Sequence, residues 1–193
     1  MRLLYVNACV RKESRTDRIA RELLKRLINR EQEGVVLEEI KLDSASLLPL
    51  NEERLIKRTE LITKEEWKHS SFVLARQFAQ ADQIVIAAPY WDGSFPSVLK
   101  IYIENIYVTG IVTRYGENGM PCGMCKAQKL YYVTTAGGPY VADYSYCYLQ
   151  TLAMRDFGIP ETKLIKAEML DVQGFDAEEI VKQAIAHLEE AID

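Results

Sequence analysis

Three short stretches combine residue types suited to holding a small ligand. "NACVRKESRTDR", from Asn7 to Arg18, puts Ser14, Arg15 and Thr16 just ahead of a helical pattern that starts near Ile19. Hydroxyls and a cation there meet free backbone amides and the positive end of a helix dipole, which suits a phosphate. The same residues also make an ordinary helix cap with a solvated charge, and this loop alone does not separate the two readings. "PYWDGSFPSVLK", from Pro89 to Lys100, sets Pro89, Tyr90, Trp91, Asp92 and Gly93 between a buried-looking apolar run and the next helical pattern. "TTAGGPYV", from Thr134 to Val141, carries Thr135, Ala136, Gly137, Gly138 and Tyr140. Consecutive glycines let backbone approach a flat ligand and offer amides to its polar edge, although a tight strand-to-helix turn uses them equally well.

Other residues offer less. Cys122 and Cys125 form a C-x-x-C, but zinc needs two further ligands and no second paired motif is present. A redox dithiol is disfavoured for the same stretch. "YVADYSYCYL", from Tyr140 to Leu149, is rich in tyrosine and could line a substrate cavity, with Tyr140 the strongest candidate. His69 and His187 fall in helical patterns as exposed residues, and acids such as Glu31 and Glu33 read as solvated faces. There is no G-x-G-x-x-G and no Walker sequence, so neither a dinucleotide fingerprint nor a P-loop is indicated.

The elements that must position these loops follow from periodicity. "RLLYVNA", "VVLEEIKL", "DQIVIAA", "KLYYVTT" and "TKLIKAEML" read as strands. Helical faces appear at Ile19, Leu23, Leu24 and Leu27, at Leu99, Tyr102, Ile103 and Ile106, and through Leu149, Leu152 and Ala153 up to Gly158. Thr63 with Glu66 predicts the capped start of a helix carrying Trp67, Leu74, Ala75 and Phe78, after a less regular stretch through "ASLLPLNEERLIKR". Asp176 and Glu179 cap a last helix through Ile192. This alternation predicts an α/β fold over residues 1–193 as one domain, a doubly wound five-stranded parallel sheet in the order 2-1-3-4-5 with helices on both faces. Ligands in such sheets sit beyond the strand carboxyl ends where the order reverses, which brings the three loops to one crevice.

The net charge of -4, with 48% hydrophobic and 27% charged residues, gives no electrostatic basis for binding nucleic acid. No apolar run approaches the ~18 residues of a membrane span. The first residues read as a strand rather than a signal peptide, so the expectation is a cytoplasmic protein with reduced thiols.

With these residues in view, the sequence resembles the flavodoxin-like NAD(P)H:quinone oxidoreductases and FMN-dependent NADH-azoreductases. The resemblance runs end to end through "SRT", "APYWDGSFPSVLKIYIENIYVTG", "RYGENGMPCGMCKAQK", "TTAGG" and "YLQTLAMRDFGI". It implies that Ser14, Arg15 and Thr16 hold the phosphate of FMN. By the same likeness Pro89, Tyr90, Trp91, Asp92 and Gly93 run along its ring system and Thr135, Ala136, Gly137 and Gly138 edge the other side; Tyr140, directly after them, is counted among the cofactor-binding residues. It further implies NADH or NADPH as donor, an electron-poor acceptor such as a quinone or azo compound, ping-pong turnover and a homodimer to which "IYIENIYVTGIVTRY" contributes. No metal and no protein nucleophile are required. Ala8 stands where these relatives usually have serine, and "YWDG" replaces their common Met-Tyr-Asn-Phe. The alternatives are a flavodoxin-type electron carrier, an NAD(P)H-dependent FMN reductase, and a receiver-like signalling domain. The mild charge argues against the carrier, and "VNACV" lacks the acids a receiver needs.

Overall fold

Unbroken apolar runs form the middle of the sheet, because a strand covered on both faces has no side to leave polar. In the computed structural model, which describes residues 1–31, 34–43, 47–140 and 144–193, β1 (Arg2–Asn7) and β3 (Gln83–Ala87) are buried along nearly their whole length. β2 (Val36–Lys41) is an edge strand and exposes most of its residues. With β6 (Lys129–Thr135) and β7 (Glu161–Ala167) they make a five-stranded sheet in the order β2-β1-β3-β6-β7, every pair parallel. Counted among themselves these strands run 2-1-3-4-5, and the order reverses at the β1–β3 pair.

α1 (Arg15–Arg30) lays Ile19, Ala20, Leu23, Leu24 and Leu27 on one face of the sheet. They pack with Leu3, Tyr5, Val85 and Val133, and with Val181 of α6 (Ala177–Ala186) and Leu188 of α7 (Leu188–Ile192). The other face carries α3 (Val73–Gln80) and α4 (Ser97–Ile106), whose Phe78, Leu99, Tyr102 and Ile103 pack on Leu4, Val6, Ile84 and Tyr132. Tyr102 is fully buried, which makes it a core residue and not an interface one.

The chain departs from the periodicity in four places. The stretch before Thr63 forms α2 (Glu52–Thr63), started by Asn51, whose side chain accepts from the Arg54 amide at 3.0 Å. Thr63 ends that helix rather than starting another: its hydroxyl donates to the Thr59 carbonyl at 2.9 Å and is not available as a cap. α3 begins only at Val73, after a 3₁₀ turn at Ser70–Phe72 that the His69 ring initiates by accepting from the Ser71 amide. The last helix divides at His187 into α6 and α7. Finally, the segment after α4 is not a plain loop: β4 (Thr113–Tyr115) and β5 (Pro121–Gly123) pair as an antiparallel hairpin. Gly123 touches the backbone at Gly158, where α5 (Tyr146–Thr151) ends after a π-helical continuation, Leu152–Phe157. Asp176 caps α6 by accepting from the Glu178 and Glu179 amides, while Glu33 and Val141 lie outside the described residues.

Candidate functional site

The carboxyl ends of β1, β3, β6 and β7 surround one cavity of about 870 Å³ beside the point where strand order reverses, within the size range of small-molecule sites. α1 starts at its rim. Ser14 is the N-cap, in extended backbone, and its hydroxyl accepts from the Asp17 amide at 3.3 Å. The remaining first-turn amides have no acceptor within the helix. Thr16 is buried to 1% exposure and shares a 2.6 Å hydroxyl–hydroxyl bond with Thr135, fastening the start of α1 to the end of β6.

A polar network beneath this turn fixes its orientation. Asp17 accepts from the Tyr5 hydroxyl at 2.5 Å, from Asn7 Nδ2 at 3.0 Å and from Arg21 Nε at 2.8 Å. Burial and the neighbouring Asp17 carboxylate push the Tyr5 hydroxyl far above its usual range, and hydrogen bonds to Asp17 and Glu39 hold Arg21 firmly cationic. Asn7 Oδ1 accepts from the Cys9 amide at 2.9 Å, which shapes the turn out of β1. The Cys9 thiol is pushed up to about 11, first by burial, so it stays neutral near pH 7.

The loop after β3 closes on itself. Trp91 and Ser94 exchange two backbone hydrogen bonds of 2.8 Å, and between them Asp92 and Gly93 take φ of 50° and 82°. Positive φ at both central residues is the I′ hairpin turn, for which Asp-Gly is a preferred pair. Tyr90 donates its amide to the Thr135 carbonyl at 2.9 Å, extending sheet-like pairing past the strand ends. Trp91 at the tip is 38% exposed.

Ser14, Arg15, Thr16, Pro89, Tyr90, Trp91, Thr135, Ala136 and Gly137 all line the cavity. Asp92 and Gly93 form the turn behind that wall, and Gly138 and Tyr140 stand outside the lining. Tyr140 packs against Tyr90 with ring centroids 4.6 Å apart, and its hydroxyl pairs with the buried Ser145 at 2.6 Å. Its amide donates to Glu168 at 2.8 Å, and that bond, together with Lys166, holds the Glu168 carboxyl below the usual range. The structure adds Leu170 and Asp171 from the loop after β7, Glu178 of α6, and the cations Arg11, Lys12 and Arg18. Arg15 pairs with Asp171 at 2.9 Å and Arg18 with Glu178 at 2.9 Å. The signal for Asp171 was its place just past the fifth strand, an end that converges with the other three.

Cys122 lies on β5, and Cys125 is pushed up to about 12 by burial. Cys9, Cys122 and Cys125 are free thiols. Among the described residues, no group of three or more His, Cys, Asp or Glu side chains is placed to hold a metal ion, and no helix is long and apolar enough to cross a membrane.

Comparison with known proteins agrees with this architecture. A family model described as flavodoxin-like fold matches residues 1–192. An FMN-dependent NADH:quinone oxidoreductase of Coprothermobacter proteolyticus is 31% identical over 200 residues, covering 98% of this chain and 96% of that protein. The FMN-dependent NADH:quinone oxidoreductase 2 of Clostridium acetobutylicum is 40% identical over 128 residues; the match spans only 63% of each chain. Among solved structures, an FMN-dependent NADH-azoreductase from Bacillus anthracis in complex with FMN superposes with a TM-score of 0.82 at 21% identity, covering 98% of this chain and 96% of that one. That likeness speaks to fold. With a family model matched from its first residue to its last but one, and a relative aligned along nearly its whole length, this chain belongs to the flavodoxin-like fold family.

Proposed function

We propose that this chain is an FMN-dependent oxidoreductase that passes electrons from NADH or NADPH to quinones, azo compounds or similar electron-poor acceptors. One observation carries the reading: a single cavity has the amide-presenting start of α1 with Ser14, Arg15 and Thr16 at one side and the aromatic pair Tyr90 and Trp91 at another. A phosphate fits the first, since helix amino termini with a cation beside them favour anions. A flat ring system fits between the second and the Thr135–Gly137 backbone. Bound there, FMN would supply two-electron redox chemistry between donor and acceptor.

The protein's part is to bind and orient. Ser14, Arg15 and Thr16 hold the phosphate, with Thr16 set by its bond to Thr135. Amides of Thr135 and Gly137 address the polar edge of the ring, the Ala136 amide being taken by the Ala167 carbonyl at 2.9 Å, and Pro89, Tyr90 and Trp91 flank it. Asp92 and Gly93 act through the shape of their turn, and Tyr140 supports Tyr90 from behind. Donor and acceptor use the same open mouth, so they bind alternately and turnover is ping-pong.

The reading includes a homodimer in the cytoplasm. Exposed apolar residues on and beside α2, Leu48, Leu55 and Ile56, support an interface, and the free thiols of Cys9, Cys122 and Cys125 support a reducing compartment.

The test is anaerobic mixing. The purified chain should be yellow or become so with FMN, and NADH or NADPH should bleach it rapidly, with colour returning when a quinone is added. A chain that stays colourless in excess FMN overturns the reading. A yellow chain reduced only through a partner reductase is an electron carrier instead.

A further inference from the structure

At the proposed phosphate end, Arg15 is held from the far side of the cavity. Its Nη1 donates to Asp171 Oδ1 at 2.9 Å and to the Leu170 carbonyl at 3.4 Å. The Asp171 carboxylate rests over Gly137: a Cβ at that glycine would lie 2.5 Å from Asp171 Oδ2. Three loops therefore meet through one carboxylate, and its seat exists because residue 137 has no side chain.

The ion pair does not hold these loops together. Its side chains are 38% and 67% exposed, and exposed pairs of this kind add little stability. Backbone bonds join the loops after β6 and β7, Met169 to Gly138 at 3.0 Å, Leu170 to Ala136 at 3.2 Å and Asp171 to Gly137 at 2.8 Å, and the Thr16–Thr135 bond fastens the start of α1. What the pair does is restrain a guanidinium. It engages one amino group of Arg15 and leaves Nε and the second amino group as donors in a fixed fork.

We propose that Asp171 is a positioning residue, one that presets Arg15 for the ligand's phosphate and so sets the cavity's preference for a phosphorylated flavin over an unphosphorylated one. This rests on the reading that the phosphate lies at the start of α1. Presetting a long side chain removes an ordering cost from binding, and the saving applies only to the ligand that Arg15 touches.

The test titrates the full chain with FMN and with riboflavin in four forms: unsubstituted, Asp171→Asn, Arg15→Ala and the double variant. Asp171→Asn should weaken FMN binding about five- to tenfold, the effect of freeing one long side chain. Riboflavin binding and the thermal midpoint without flavin should hold. Arg15→Ala should lower the FMN-to-riboflavin ratio further, and the double variant should match Arg15→Ala alone, because Asp171 then has nothing to position. A ratio that Asp171→Asn leaves unchanged, or an equal loss for both flavins, overturns the proposal while leaving the phosphate reading standing. A raised ratio also overturns it and identifies Asp171 as a competing counter-ion. If Arg15→Ala leaves the ratio unchanged, the phosphate does not lie at Arg15 and the functional reading falls too. Should Asp171→Asn fail to fold, Gly137→Ala displaces the same carboxylate and must lower the ratio.

Discussion

Ser14, Arg15 and Thr16 show what single residues disclose before a structure is known. A hydroxyl, a cation and a second hydroxyl at a helix start are visible in the letters, and the helix does begin there, with Ser14 as its cap. The bond from Thr16 to Thr135 was not visible, because it joins residues on different elements and depends on how α1 lies across the sheet. Asp171 was hidden for the same reason, since the path of the loop after β7 decides which side chain it meets. Replacing Arg15 and Thr16 together with alanine should weaken FMN binding by about 1.5–3 kcal/mol, the range for charge-assisted hydrogen bonds. Flavin fluorescence titration checks this, and unchanged affinity would remove both residues from the site.

Among the elements, the sheet was the legible part. Buried strands of a parallel sheet are apolar throughout, so β1, β3 and β6 stand out from their surroundings. α2 was obscured because its length is polar and only Leu61 is buried, leaving little apolar stripe to detect. Its signal was the Asn51 cap followed by Glu52 and Glu53 in the first turn. Asn51→Ala should therefore cost about 1 kcal/mol of stability, measured by denaturant unfolding. The β4–β5 hairpin was missed because its strands are three residues each and its position is set by contact with another element. A Cβ at Gly123 would lie 2.0 Å from the Gly158 backbone nitrogen. Gly123→Ala should lower stability by roughly 1–3 kcal/mol through overpacking, read as a reduced denaturant midpoint. A variant as stable as the parent would show that the hairpin yields easily.

Across the whole molecule, pH should act through buried neutral thiols. Cys9 is raised from 9.0 to about 11 and Cys125 to about 12, both mainly by burial. Their folded values lie above their unfolded ones, so the unfolded chain loses these protons first. The stability they contribute is complete below about pH 9 and declines as pH rises through about 11 to 12. Unfolding midpoints measured from pH 8 upward should fall, and Cys9→Ala with Cys125→Ala should flatten that fall relative to its own value at pH 8. Equal slopes in parent and double variant would mean that other groups govern the alkaline limit.

The turn at Asp92 and Gly93 bears on how such a protein can change over time. Both of the short backbone bonds that close it run between Trp91 and Ser94, with the turn residues themselves at φ values that Asp and Gly readily adopt. On the proposed flavin reading, substitutions confined to Asp92 and Gly93 would alter how an acceptor approaches while leaving Ser14, Arg15 and Thr16 in place at the other side of the cavity.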